Sequence, residues 1–290
     1  MSARFGTAGN SDSFTAQGYK SSVQAPGYLV KMGLDAYEYQ GGRGITIKQE
    51  KAELLGAAAG EAGVALSVHA PYYISLSGTD EVKRLNSIGY ILQSARAAKW
   101  MGAQRIVVHS GSCGGQTREA ALALAGQTLG LALAALDAEG LGAIRLCPET
   151  MGRINQLGTL EEVLELCSID ERLLPCIDFG HLNARTGGGL SAPQAVEAVF
   201  EAVKGRLGEE RLKSFHSHFS KIEYTAGGEK RHLTFEDTTF GPDFGPVAEM
   251  TVRYGCHPVF ICESAGTQAE DAAAMKAIYQ KAVERLEKEC

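Results

Sequence analysis

The stretch that decides the fold is Leu173-Leu174-Pro175-Cys176-Ile177-Asp178-Phe179-Gly180-His181. A short apolar run ends in a carboxylate and, three residues on, an imidazole. Apolar runs of this length read as buried strands where helical segments alternate with them. An acid and a histidine at the end of such a strand stand where barrel enzymes place their chemistry. The pair also fits a plainer role, with Asp178 capping the following turn and His181 packed beside it.

Working outward, the same unit of strand then helix recurs along the chain. Candidate strands are Arg4–Gly6, Ala36–Tyr39, Ala65–His69, Arg105–His109, Arg145–Glu149, Pro175–Asp178, Ser214–Ser220 and Val259–Glu263. Helical patterns lie between them at Ser22–Met32, Ile47–Ala62, Asp80–Met101, Thr117–Ala138, Thr159–Cys167, Ala192–Val203 and Thr267–Lys288. Such segments bury an apolar stripe against a parallel sheet. About eight units over this length predict a single (β/α)8 TIM barrel. The expectation is one α/β domain over residues 1–290, with its site at the C-terminal face of the strands. An open doubly wound sheet is the alternative. Against it, Gly6-Thr7-Ala8-Gly9-Asn10 lacks both the G-x-G-x-x-G spacing and the helix it should open.

The composition, 44% hydrophobic and 21% charged, is that of a globular protein with a sizeable core. No apolar run reads as membrane-spanning, and Met1-Ser2-Ala3-Arg4-Phe5-Gly6 lacks the apolar core of a signal peptide. The seven cysteines form no Cys-x-x-Cys pair, and Cys147, Cys176 and Cys262 lie in strand-like runs. They read as reduced thiols of a cytoplasmic protein. A net charge of -6 provides no overall electrostatic footprint for nucleic acid.

From the third onward, each strand ends in a residue able to hold a metal. These are His69, His109, Glu149, Asp178 with His181, His216 with His218, and Glu263. Six of the seven histidines fall at these ends or in the adjoining loops; His257, on the far side of the last strand, does not. Period-two alternation points His216 and His218 the same way, with Phe215 and Phe219 facing the helices, so both histidines face the barrel axis. Unpaired carboxylates converging on one mouth are costly to bury, and a divalent cation is the economical partner. Mixed imidazole and carboxylate ligands suit zinc, manganese or iron better than calcium or magnesium. The insertion Glu223–His232 adds His232 and Glu229, folding back from the Gly227-Gly228 turn. The set exceeds what one ion needs, so two or three ions with bridging carboxylates are expected.

With these motifs the chain resembles the endonuclease IV family of apurinic/apyrimidinic endonucleases, within the xylose isomerase-like TIM barrel superfamily. The resemblance runs from about Arg4 to about Leu286. It is carried by Ser67-Val68-His69-Ala70-Pro71-Tyr72, Val107-Val108-His109-Ser110-Gly111, Pro148-Glu149-Thr150 followed by Asn155-Gln156-Leu157-Gly158, Ile177-Asp178-Phe179-Gly180-His181, and Ile261-Cys262-Glu263-Ser264. It implies a trinuclear zinc centre. One ion would take His69, His109 and Glu149. A second, bridged by Glu149, would take Asp178, Glu263 and the histidine of the seventh strand, with His216 favoured and His218 beside it. The third would take His181, Glu229 and His232. The implied activity is hydrolysis of the phosphodiester 5′ to an abasic site in double-stranded DNA, as in base excision repair, with Glu149 or Glu263 as the catalytic carboxylate that positions the attacking water. Arg43, Lys221, Lys230 and Arg231 are the candidate phosphate contacts, and the expected species is a monomer. Two spacings depart from the family: His216-Ser217-His218-Phe219-Ser220-Lys221 replaces a more usual His-x-Asn-Asp, and Glu229-x-x-His232 replaces Asp-x-His.

Two other functions use the same residues. A one-metal sugar isomerase or epimerase needs only Glu149, Asp178, one histidine of the seventh strand and Glu263, with carboxylates moving a proton next to a carbonyl. A non-catalytic barrel that binds metal or a partner protein leaves most of the inward acids and histidines unexplained.

Overall fold

The computed structural model describes residues 2–289. Eight parallel strands form its centre: β1 (Arg4–Ala8), β2 (Ala36–Gln40), β3 (Ala65–His69), β4 (Arg105–Val108), β5 (Arg145–Pro148), β6 (Cys176–Asp178), β7 (His216–Phe219) and β10 (Val259–Cys262). Between the last two, β8 (Ile222–Thr225) and β9 (Gly228–His232) make an antiparallel hairpin. Strand order is β5-β4-β3-β2-β1-β10-β7-β6. Backbone bonds join the two outer strands: Leu174 N–H donates to Leu146 O at 3.1 Å and Thr150 N–H to Cys176 O at 3.0 Å. The sheet therefore closes into the expected TIM barrel, and all eight strands lie where the sequence places them.

Local chemistry explains the alternation. The helices Gln49–Ala62 and Glu81–Met101 both stop at a left-handed glycine, Gly63 and Gly102, which relieves the last carbonyls without a Cβ clash. Leu160–Cys167 starts on a reciprocal capping box between Thr159 and Glu162. Gly6 lets β1 approach β2, since a Cβ there would fall 1.8 Å from the Ala36 carbonyl oxygen.

The main core lies between strands and helices. Phe219 packs edge-on against Phe244 at 4.9 Å, Phe5 stacks on Phe260 at 5.4 Å, and Phe215 meets Phe200 of helix Pro193–Leu207 at 5.7 Å. Each buried ring contributes roughly 2–3 kcal/mol of hydrophobic stabilisation. These outward phenylalanines turn His216 and His218 inward. Val107, Cys147, Leu174 and Cys176 form a separate small apolar cluster.

Several elements go beyond the sequence expectation. Phe179–Arg185 and Phe244–Arg253 are helices, and the insertion after β7 is a paired hairpin rather than an irregular loop. Helix Arg118–Ala138 is long and apolar enough to cross a membrane, which corrects the expectation that no segment is. In the barrel its residues Ala121, Ala125, Leu129, Ala132, Leu133 and Leu136 are buried. The six cysteines among the described residues are unpaired.

Candidate metal centre

Parallel strands bring their C-terminal ends to one mouth, and three groups of metal-capable side chains converge there, with His69, His218 and Glu263 a further set overlapping the first two. The first is His69, His109 and Glu149; the second is Glu149, Asp178, His218 and Glu263; the third is His181, Glu229 and His232. Glu149 belongs to the first two. Its Oε2 lies 3.4 Å from His69 Nε2 and 3.1 Å from His109 Nε2, and its Oε1 lies 3.1 Å from His218 Nδ1 and 3.4 Å from His181 Nδ1. One carboxylate thus stands among four imidazoles.

Asp178 fills both roles open to it from sequence. Its Oδ1 accepts the His181 amide at 2.7 Å and so caps helix Phe179–Arg185. Its Oδ2 is buried, accepts no hydrogen bond, and lies 3.1 Å from His181 Nδ1. The cap holds the first turn in place, and that turn carries His181 to the neighbouring group.

The third group depends on a bulge. In a regular strand Glu229 and His232, three residues apart, would face opposite ways. Here Glu223 pairs with Arg231 while the next residue, Tyr224, pairs with Glu229, leaving Lys230 as an extra residue. That insertion shifts the alternation and brings both side chains to one face. Glu229 Oε2 stands 3.4 Å from His181 Nε2, and its Oε1 3.9 Å from His232 Nε2.

Most of these imidazoles are braced from behind. His69 Nδ1 donates to Ala70 O at 2.9 Å, and His181 Nδ1 to Thr150 O at 2.9 Å, which leaves each Nε2 for its group. His232 Nδ1 shares a 2.8 Å hydrogen bond with Ser220 Oγ. Such partners fix the ring tautomer and orientation. Thr150 and Ser220 carry no sequence signal beyond their place after a strand.

The seventh-strand histidines separate by depth. His218 lies in register with Asp178 and Ile261, whereas His216 lies in register with Cys176 and Val259, one pleat further from the mouth. This corrects the preference for His216: His218 joins the four-ligand group, and His216 Nε2 instead bonds Glu38 Oε2 at 2.9 Å. His216 and His218 also converge with Cys176 in a wholly buried trio.

Electrostatics fit a cation. Burial opposes the charged form of His69, yet the proximity of Glu149 and the charge of Glu38 push its pKa up to about 9. Burial likewise opposes a charged His181, and Asp178, Glu149 and Glu229 outweigh it, giving about 10. Glu149 is held well below the usual carboxylate range by His218, His109 and His181, against its burial. Glu149 Oε2 is buried without a hydrogen bond, like Asp178 Oδ2. Within each group the candidate ligand atoms lie within 4.8 Å of one another, close enough to share an ion. A field that retains protons on imidazoles this strongly also favours a divalent cation in their place.

The phosphate-contact assignments fare differently. Lys221 is largely buried, with Nζ bonded to the Asp237 carbonyl, and Lys230 and Arg231 both pair with Glu223. All three thus have partners within the chain, Lys230 and Arg231 in exposed pairs. Arg43 is exposed on the turn at 41–44. His257 lines a cavity at the opposite end of the barrel with Arg4 and Val259, away from the centre as expected.

Comparison with known proteins agrees with this architecture. Residues 27–289 match the family model described as xylose isomerase-like TIM barrel. A protein of Methanocaldococcus jannaschii, itself uncharacterised, is 32% identical over 94% of this chain and 95% of its own. A probable endonuclease 4 of Mycoplasma pneumoniae is 30% identical over 61% of this chain, and the match spans 60% of that protein's length. Among solved structures, a D-tagatose 3-epimerase-like protein superposes with a TM-score of 0.71 at 20% identity, over 93% of this chain and 97% of that one. Endonuclease IV from Thermus thermophilus superposes at 0.67 and 19% identity, over 97% and 99%. At those identities the structural likeness establishes the fold alone. With the match running through nearly all of the barrel that carries the three groups, the chain belongs to the xylose isomerase-like TIM barrel family.

Proposed function

We propose that this chain is a metal-dependent phosphodiesterase of the endonuclease IV type, which holds zinc and hydrolyses the phosphodiester 5′ to abasic sites in DNA. The observation that carries the reading is the third group. His181, Glu229 and His232 converge beside the four-ligand set, and a one-metal enzyme has no use for them. His69, His109 and Glu149 would hold one ion, Glu149, Asp178, His218 and Glu263 a second, and His181, Glu229 and His232 a third. When bound, such ions supply Lewis-acid polarisation of phosphoryl oxygens and stabilise charge on a departing oxygen.

The side chains divide the remaining work. Glu149 has both oxygens among imidazoles and is almost wholly buried, so it would be the ligand shared by the first two ions. Glu263 makes one such approach, Oε2 at 3.5 Å from His218 Nδ1, and is 16% exposed. Its free oxygen is therefore the one to orient the attacking water and accept its proton. Tyr72, 60% exposed at the rim with its ring 6.3 Å from those of His69 and His109, offers a stacking face to an unpaired nucleotide.

A second reading, a one-metal sugar epimerase, draws on a separate observation. Lys221 is bonded to the Asp237 carbonyl, and Lys230 and Arg231, though exposed, are paired with Glu223, whereas DNA affinity comes largely from free cations on phosphates. The test is to incubate zinc- or manganese-loaded protein with a duplex carrying one abasic site, and in parallel with ketohexoses. Nicking 5′ to the site, with no epimerisation, is expected. Epimerisation without nicking would overturn the phosphodiesterase in favour of the second reading.

A further inference from the structure

Beneath the centre lies a buried acid that the mechanism leaves unused. Glu38, on β2, is fully buried, and both of its oxygens are engaged. Oε2 accepts from Ser67 Oγ at 2.8 Å and from His216 Nε2 at 2.9 Å. Oε1 accepts from Gln40 Nε2 at 3.3 Å and stands 2.9 Å from His218 Nε2, a charge contact without hydrogen-bond alignment. The other ring nitrogen of His218, Nδ1, faces Glu149 and Glu263 at 3.1 and 3.5 Å.

We infer that Glu38 is a positioning residue: its carboxylate, 2.9 Å from Nε2 of His218, pairs with that edge of the ring and so directs Nδ1 into the four-ligand group. The inference rests on the reading of that group as a metal site. His69 and His181 are braced by backbone carbonyls and His232 by a hydroxyl. His218 has no such carbonyl or hydroxyl behind it; the Glu38 carboxylate faces its Nε2 instead. An ionised acceptor raises the basicity of the ring as well as orienting it, and loss of such a partner costs metal affinity about 10–100-fold. Ser67 and His216 in turn hold Glu38, so His216 acts two steps from the ion. The strand pairing supports this layer, because Glu38 sits opposite Ser67 across the β2–β3 ladder.

The test uses full-length protein loaded with cobalt(II) or zinc. Glu38→Gln keeps the shape but removes the charge and one acceptor. Its weakest-bound cobalt should dissociate about 10–100-fold more readily, with a changed visible spectrum, while unfolding remains cooperative. Wild-type affinity and an identical spectrum in that variant would overturn the inference. A folding failure of Glu38→Gln leaves a second measurement on the zinc-loaded wild type: the 15N shifts of His218 should show a protonated Nε2 and a liganded Nδ1. The reverse assignment would overturn the proposal, and would equally mark Cys176, His216 and His218 as the alternative ligand trio. Both functional readings require the four-ligand group, so a chain that epimerises rather than nicks leaves this inference standing. An unchanged Glu38→Gln protein that still nicks abasic DNA removes this inference alone.

Discussion

Two parts of the centre are built differently. Glu149, Asp178, His218 and Glu263 stand on or directly after barrel strands, three of them almost inaccessible to solvent, and their positions follow from the register of β5, β6, β7 and β10. Glu229 and His232 stand on an added hairpin, are more exposed than those three, and meet His181 only because Lys230 is extruded as a bulge. On the proposed reading, the first set suffices to hold one ion. The second set is what the proposed multi-ion phosphodiesterase would use and a one-ion epimerase would not. Rigid strands fix general capacity, and a grafted hairpin decides what it is used for.

The largest expected effect lies at the joint between the groups. Glu149→Ala removes a carboxylate shared by two of them, and should lower kcat/KM for abasic duplex by about 1000-fold or more, the scale of several kcal/mol of lost charge stabilisation. A variant that keeps a tenth of wild-type turnover would show that the two groups act independently. Next, Glu263→Gln should lower kcat by about 100-fold with KM little changed, as for loss of a group that moves a proton in the transition state. Steady-state kinetics showing a raised KM at unchanged kcat would instead make Glu263 a substrate-binding residue.

The sequence makes the strand-borne set legible because each apolar run ends on its ligand, and strand alternation turns that ligand inward. Depth is not encoded in that alternation. His216 and His218 share a face, and only the register with Cys176 and Asp178 tells which one reaches the mouth. The bulge is equally silent in sequence, since Glu229-x-x-His232 reads as two residues on opposite faces until Tyr224 is seen paired with Glu229. Glu38 is an acid within a strand, but its partner His216 lies 178 residues away and no local pattern connects them. Phe179–Arg185 has no clear helical signature because it is short and contains Gly180, and its start is fixed by the Asp178 cap.

Smaller effects sharpen the hairpin side. Deleting Lys230 turns the spacing into Glu-x-His, which in a regular strand also places both side chains on one face. The deletion should therefore leave the number of bound ions unchanged by elemental analysis. Loss of an ion would contradict the account of the bulge. Smallest of all, Arg231→Ala removes an exposed cation already paired with Glu223, so affinity for abasic duplex should change by less than about threefold in a titration at fixed salt. A tenfold loss would return Arg231 to the DNA-binding face.

The central claim is that a third ion site exists on the hairpin beside the strand-borne pair. Native mass spectrometry of zinc-loaded wild type and His181→Ala tests it most directly. Three ions in the wild type and two in the variant, with the fold intact by circular dichroism, is the predicted result; one ion in both proteins would contradict it.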